Sequence, residues 1–96
     1  MSLVCEAIRR RLLIEFEYNG LHRVVAPYCH GISTRNNETL RGVQVHGATR
    51  DGRLGFGKFW TISKIRNLRL RDEAFLPNDR NYNPDDKGMK QIHCRV

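Results

Sequence analysis

Three groups of side chains in this sequence have the types and spacing to do chemistry. The first is cationic: Arg23, Lys58, Lys64 and Arg66. The second, Tyr18, His22 and Trp60, offers rings that stack or form hydrogen bonds. A guanidinium grips phosphate or carboxylate through two parallel hydrogen bonds, and an aromatic face accepts a nucleobase or another planar group. Together these seven residues describe a ligand-binding pocket for a nucleotide or a short single strand. The competing reading is that Tyr18 and Trp60 fill the core while the basic residues decorate solvated strand faces.

The third group is Cys29-His30 and His93-Cys94, whose donors suit zinc. Adjacent residues on a strand point to opposite faces, so at most one of each pair aims at a common ion. That leaves too few ligands without His22 or His46, and no metal or cofactor is expected. Catalysis is not expected either. A nucleophile needs a base within hydrogen-bond reach and a third group to orient it, and nothing in the sequence sets Cys29, Cys94 or Ser63 beside such partners. Glu15 and Glu17 alternate with Phe16 and Tyr18, which makes them the wet side of a strand. Gly52, Gly55 and Gly57 precede no helix, so they form no phosphate-cradling loop.

Charge sharpens the picture. The net charge is +7, and residues 49–71 hold seven Lys/Arg against one Asp/Glu, whereas residues 72–86 hold one against five. A basic segment whose charges share a face attracts polyanions. The expected partner is therefore an anionic small molecule or nucleic acid. The three cysteines, Cys5, Cys29 and Cys94, are odd in number and lack CxxC spacing, which favours reduced thiols in a cytoplasmic protein. The apolar patch Leu3 to Ala7 is too short for a signal sequence or a membrane span, so no membrane partner is expected.

The elements that must position these groups fit one domain over residues 1–96. Ser2 caps a short helix in which Leu3, Val4, Ala7 and Ile8 recur at helical spacing. Ile14, Phe16 and Tyr18 then alternate as a strand, and Asn19-Gly20 turns the chain into a second strand, His22 to Ala26, which Pro27 ends. Residues 30–37 read as a loop. Leu40, Val43 and Val45 form a third strand with an irregularity at Gly42. A turn at Thr49 to Gly52 leads into Arg53 to Ile62, and Ile65, Leu68 and Leu70 make a further strand with a bulge between Ile65 and Leu68. Residues 76–96 form a loop or tail in which Met89, Ile92, Cys94 and Val96 can dock as a terminal strand. The expected fold is mainly β (α+β): about five strands over residues 12–71 in a small, bent, SH3-like or Sm-like sheet or partly open barrel, with a short N-terminal helix over one end.

The order Ala7-Ile8, Leu13 to Tyr18, Gly20, Arg23 and Pro27 resembles the start of WYL domains. Phe59-Trp60-Thr61-Ile62-Ser63-Lys64-Ile65, followed by Asp72-Glu73-Ala74-Phe75, resembles their closing motif. Of the Trp-Tyr-Leu tripeptide that names the family, Glu38-Thr39-Leu40 keeps only the Leu, and the two arginines of the closing motif are Thr61 and Lys64 here. The resemblance implies an Sm-like barrel that senses a ligand or nucleic acid, commonly beside a helix-turn-helix in bacterial transcription regulators and defence systems. No such reading helix fits in this chain, so a transcriptional role calls for a separate DNA-binding partner protein. The alternative function is structural, a homo-oligomer assembled through barrel edges.

Overall fold

The computed structural model describes residues 3–47, 55–77 and 88–96, without the side chains of residues 55–58. Helix α1 (Leu3–Arg10) buries Val4, Ala7 and Ile8 on one face, and Glu6 pairs with Arg10 at 3.1 Å on the other. Arg11, at φ 58°, turns the chain into β1 (Leu12–Tyr18). Asn19 and Gly20 both take positive φ, as a two-residue hairpin turn requires, and pair β1 with β2 from Ile14↔Val25 to Tyr18↔Leu21.

Strand β2 does not stop at Pro27. It runs Leu21–Ser33, through part of the stretch expected to be a loop, because it changes partner. Its first half pairs with β1 as far as Val25, and its second half, from Cys29, pairs with β6 (Met89–Arg95), the terminal strand. Pro27 lies in the gap between these two ladders, so on that edge its missing N–H costs no partner, while on the other edge it stands opposite Gly42, next to a register shift against β3. Gly31 lets β6 come close: a Cβ there would collide with the Gln91 carbonyl oxygen.

Strand β3 (Glu38–Gly47) lies along the other edge of β2, and β4 (Gly55–Thr61) lies beside β3. One 3-10 turn, Ile62–Lys64, leads to β5 (Arg66–Ala74), which pairs with β1. The sheet has six strands, the five expected in the body of the chain and the docked terminal strand, in the order β4-β3-β2-β1-β5 with β6 on β2. The protein is thus mainly β with a short N-terminal helix. Among the described residues β4 and β5 do not pair with each other, so the sheet is open. The register shifts at Gly42 against β4, and β5 carries one extra residue between Arg66 and Arg69, where Asn67 takes φ 55°. The turn expected at Thr49 to Gly52 and most of the tail lie outside the described residues.

Alternation along the strands produces two apolar clusters. On the helix side Val4, Ala7, Ile8, Ile14, Phe16, Val25, Leu40 and Trp60 pack together, with the Trp60 ring edge-on to Phe16 at 5.8 Å. On the opposite side Leu13, Val24, Ala26 and Tyr28 cluster, with Phe75 laid against Tyr28. Buried from both faces, β2 is apolar in consecutive positions around Val24-Val25-Ala26.

The cysteine reading needs correction. Three reduced thiols were expected, but Cys5 on α1 and Cys94 on β6 form a disulfide across 89 residues of sequence, and Cys29 is buried outside it. An odd count hid the pair, since nothing in the spacing says which cysteine stands apart.

Two stability predictions follow from these contacts. Trp60→Ala should lower unfolding free energy by about 3–5 kcal/mol in urea titration, the usual cost of emptying a large aromatic site. Reducing the disulfide should lower it by up to about 4–5 kcal/mol, the chain-entropy value for a loop of this length. Cys29→Ser should not alter the sensitivity to reductant.

Candidate functional site

The candidate site lies at the corner where the β1–β2 hairpin meets the 3-10 turn. Glu17, Asn19, Gly20, Ser63, Lys64 and Arg66 line a cleft of about 440 Å³. The hairpin turn supplies one wall and the Ile62–Lys64 turn the other, and β5 brings Arg66 beside Glu17 in register. The Tyr18 hydroxyl accepts a hydrogen bond from the Thr61 N–H at 3.2 Å and ties the two walls together.

The electrostatics of this face are uneven. Arg69 and Arg71 approach Glu15 at 3.9 and 3.6 Å, and Arg71 also pairs with Glu73. Glu15 further accepts a hydrogen bond from His22 at 2.9 Å; that bond, with the two arginines, holds its carboxyl below the usual range. Glu17 accepts from the Asn67 side chain at 2.9 Å. Lys64 and Arg66 have no ion pair among the described residues. The outer face therefore pairs its charges along most of β5 and leaves Lys64 and Arg66 at the cleft outside those pairs, with the Glu17 carboxylate on the same rim held by Asn67.

Of the seven residues singled out in the sequence, the structure brings Lys64 and Arg66 together. Arg23 belongs to the inner face instead, directly opposite Phe16 and only 5% exposed. Its guanidinium reaches Gln44 Oε1 and the Tyr18 carbonyl, each at 3.4 Å, and lies 5.7 Å from the centre of the Tyr18 ring. Trp60 is 1% exposed in the core and presents no open ring face. Tyr18 is half-buried between Arg23 and Thr61, and His22 stands exposed beside Glu15. The side chain of Lys58 lies outside the described residues.

A second cluster was set aside in the sequence for want of ligands. Because β6 pairs with β2, His30 lies directly opposite Cys94, and α1 brings Cys5 to within 3.5 Å of His30 Nδ1. The other ring nitrogen of His30 is 3.2 Å from Glu38 Oε1, and His93 Nε2 donates to Glu38 Oε2 at 3.1 Å. One residue of each Cys-His pair does face the common side, as strand alternation requires; the missing contributor was Cys5, 25 residues away on a different element. Burial pushes His30 below the usual histidine range despite Glu38, and the hydrogen bond from His93 holds Glu38 below the usual carboxylate range.

The chain matches no protein-family model, no curated protein and no solved structure. The function must be read from the geometry itself.

The shifts at this cluster set a pH dependence. Folded His30 resists a proton that the unfolded chain takes up near 6.5, so its contribution is complete above that value and is lost as pH falls toward the lower folded value. The Glu38 contribution is present above 4.5 and is lost as pH falls through its depressed folded value. The urea midpoint of the disulfide-bonded chain should therefore decline between about pH 7 and pH 5, within the ordinary histidine range. His30→Asn should flatten that decline. An equally steep decline in the variant would remove His30 as its source.

Proposed function

We propose that this chain is a non-catalytic binding module for an anionic ligand, a nucleotide or short single-stranded nucleic acid, seated in the cleft at Lys64 and Arg66. The observation that carries the reading is the contrast between the cations farther along β5 and those at the cleft. Arg69 and Arg71 are neutralised by Glu15 and Glu73, whereas Lys64 and Arg66 face a cleft with no ion pair among the described residues. Two cations beside a hydroxyl, Ser63, suit a phosphate even with the Glu17 carboxylate on the same rim: the guanidinium supplies a planar fork, the ammonium a point charge and the hydroxyl a further donor.

The WYL resemblance supports a sensing role of this kind, in which signalling to DNA runs through a separate protein. Arg23, in this reading, is a positioning residue: it braces Tyr18, whose hydroxyl links the two cleft walls. Self-assembly through sheet edges is the weaker reading, because Arg66, Arg69 and Arg71 stud the β5 edge, and charged edges oppose lateral strand pairing.

Fluorescence anisotropy with a labelled oligothymidylate, and calorimetry with ATP, test the reading. Lys64→Ala and Arg66→Ala should each weaken binding about tenfold or more, the usual loss for a charged hydrogen bond. Arg69→Ala should change it little. For the oligonucleotide, log K should fall against log salt with a slope of about −1 to −2, as two phosphate contacts imply. Unimpaired binding by the double variant would overturn the site. Ligand-independent oligomers in light scattering, without binding, would favour assembly.

A further inference from the structure

The cluster of Cys5, Cys94 and His30 has no part in the anion-binding reading and stands on separate observations. Its three donor atoms, two sulfurs and His30 Nδ1, lie within 4.8 Å of one another. They come from three elements: the helix, the long central strand and the terminal strand. His30 is 6% exposed, so its ring is held by packing.

The distances are those of a metal site with a bond drawn across it. A tetrahedral zinc ion with Zn–S near 2.3 Å and Zn–N near 2.0–2.1 Å holds its sulfur and nitrogen ligands about 3.6 Å apart. Cys5 Sγ and His30 Nδ1 are already 3.5 Å apart. Cys94 Sγ lies within 4.8 Å of the His30 donor, and the two sulfurs are too close because they are bonded to each other; zinc needs them at about 3.8 Å. The surroundings also fit. Glu38 faces Nε2 of His30 at 3.2 Å, which favours the proton on that nitrogen and leaves Nδ1 with the lone pair turned toward the sulfurs. A carboxylate behind a histidine ligand is the usual outer support of a zinc site, and here His93 holds that carboxylate in turn.

We propose that Cys5, Cys94 and His30 form a redox-gated zinc site, closed while the disulfide is intact and opened when a dithiol reduces it. The dithiol supplies two electrons and two protons and becomes a disulfide, while the Cys5–Cys94 bond breaks to give two thiols. Zn²⁺ then displaces one proton from each thiol and forms two Zn–S bonds and one Zn–N bond, with water in the fourth position. Two thiolates neutralise the dication, which suits a partly buried site. Soft sulfur with one imidazole favours zinc over magnesium or calcium. A disulfide oxidant reverses the process: it takes two electrons from the thiolates and, with two protons from water, becomes a dithiol, while the Cys5–Cys94 bond re-forms and Zn²⁺ departs.

Native mass spectrometry and Co²⁺ absorption on the full chain provide the test. The reduced chain should bind one Zn²⁺, and Co²⁺ in its place should show thiolate-to-metal charge-transfer absorption. The oxidised chain should bind at least tenfold more weakly and lack that band. Cys94→Ser should remove the band, and Glu38→Gln should weaken zinc binding about 10- to 100-fold, the usual loss for such a support. Cys29→Ser should retain both binding and band. Equal zinc affinity of the oxidised and reduced wild-type chains would overturn the proposal without relying on any variant to fold. So would a cobalt spectrum free of thiolate character, or loss of the band in Cys29→Ser.

Discussion

Everything in this molecule hangs on β2 being hydrogen-bonded along both edges. Strand β3 follows one edge from Arg23 to Ile32, and β1 and β6 divide the other between them. A backbone paired on both sides has no exposed amide row left to satisfy, so side chains on both of its faces are free to be apolar. That is why Val24, Val25, Ala26, Tyr28 and Cys29 are all buried, with α1 packed on one face and Phe75 against the other. The change of partner at Pro27 also brings the terminal strand against the helix, which assembles the cysteine-histidine cluster.

The two functional candidates sit at opposite ends of this logic. The cleft is built from places where regular pairing ends: a two-residue hairpin turn, a single 3-10 turn and a bulge at Asn67. Such places let polar groups converge without cost to the ladder. The cysteine-histidine cluster is built from pairing itself, since the register that sets His30 against Cys94 leaves no freedom in where either Cα lies.

Local features were legible in the sequence and distant pairings were not. The Asn19-Gly20 hairpin, the helix face of Val4, Ala7 and Ile8, and the irregularities at Gly42 and before Leu68 are written in neighbouring residues, so periodicity and turn chemistry expose them. The continuation of β2 beyond Pro27 was hidden because its polar, turn-rich residues are held as a strand by partners on both edges, β3 on one and a strand some 60 residues later on the other. The same non-locality concealed the bridge between Cys5 and Cys94. For the cleft, Lys64 and Arg66 could be singled out by type and position, but that they stand outside the ion pairs of this face becomes visible only once Glu15 is seen drawing Arg69 and Arg71 to itself, while Glu17, which lines the cleft, accepts from Asn67. Arg23 attracted attention for the right chemistry in a place where the fold turns it inward, toward Gln44 and Tyr18.

The covalent tie between Cys5 and Cys94 has a mechanical meaning. It makes the intervening polypeptide a closed ring, so tension applied to residues on either side of the bridge travels through two sulfur atoms and bypasses the sheet. A single protease cut within the ring would likewise leave one connected molecule, and its pieces would part only after a reductant had opened the bridge.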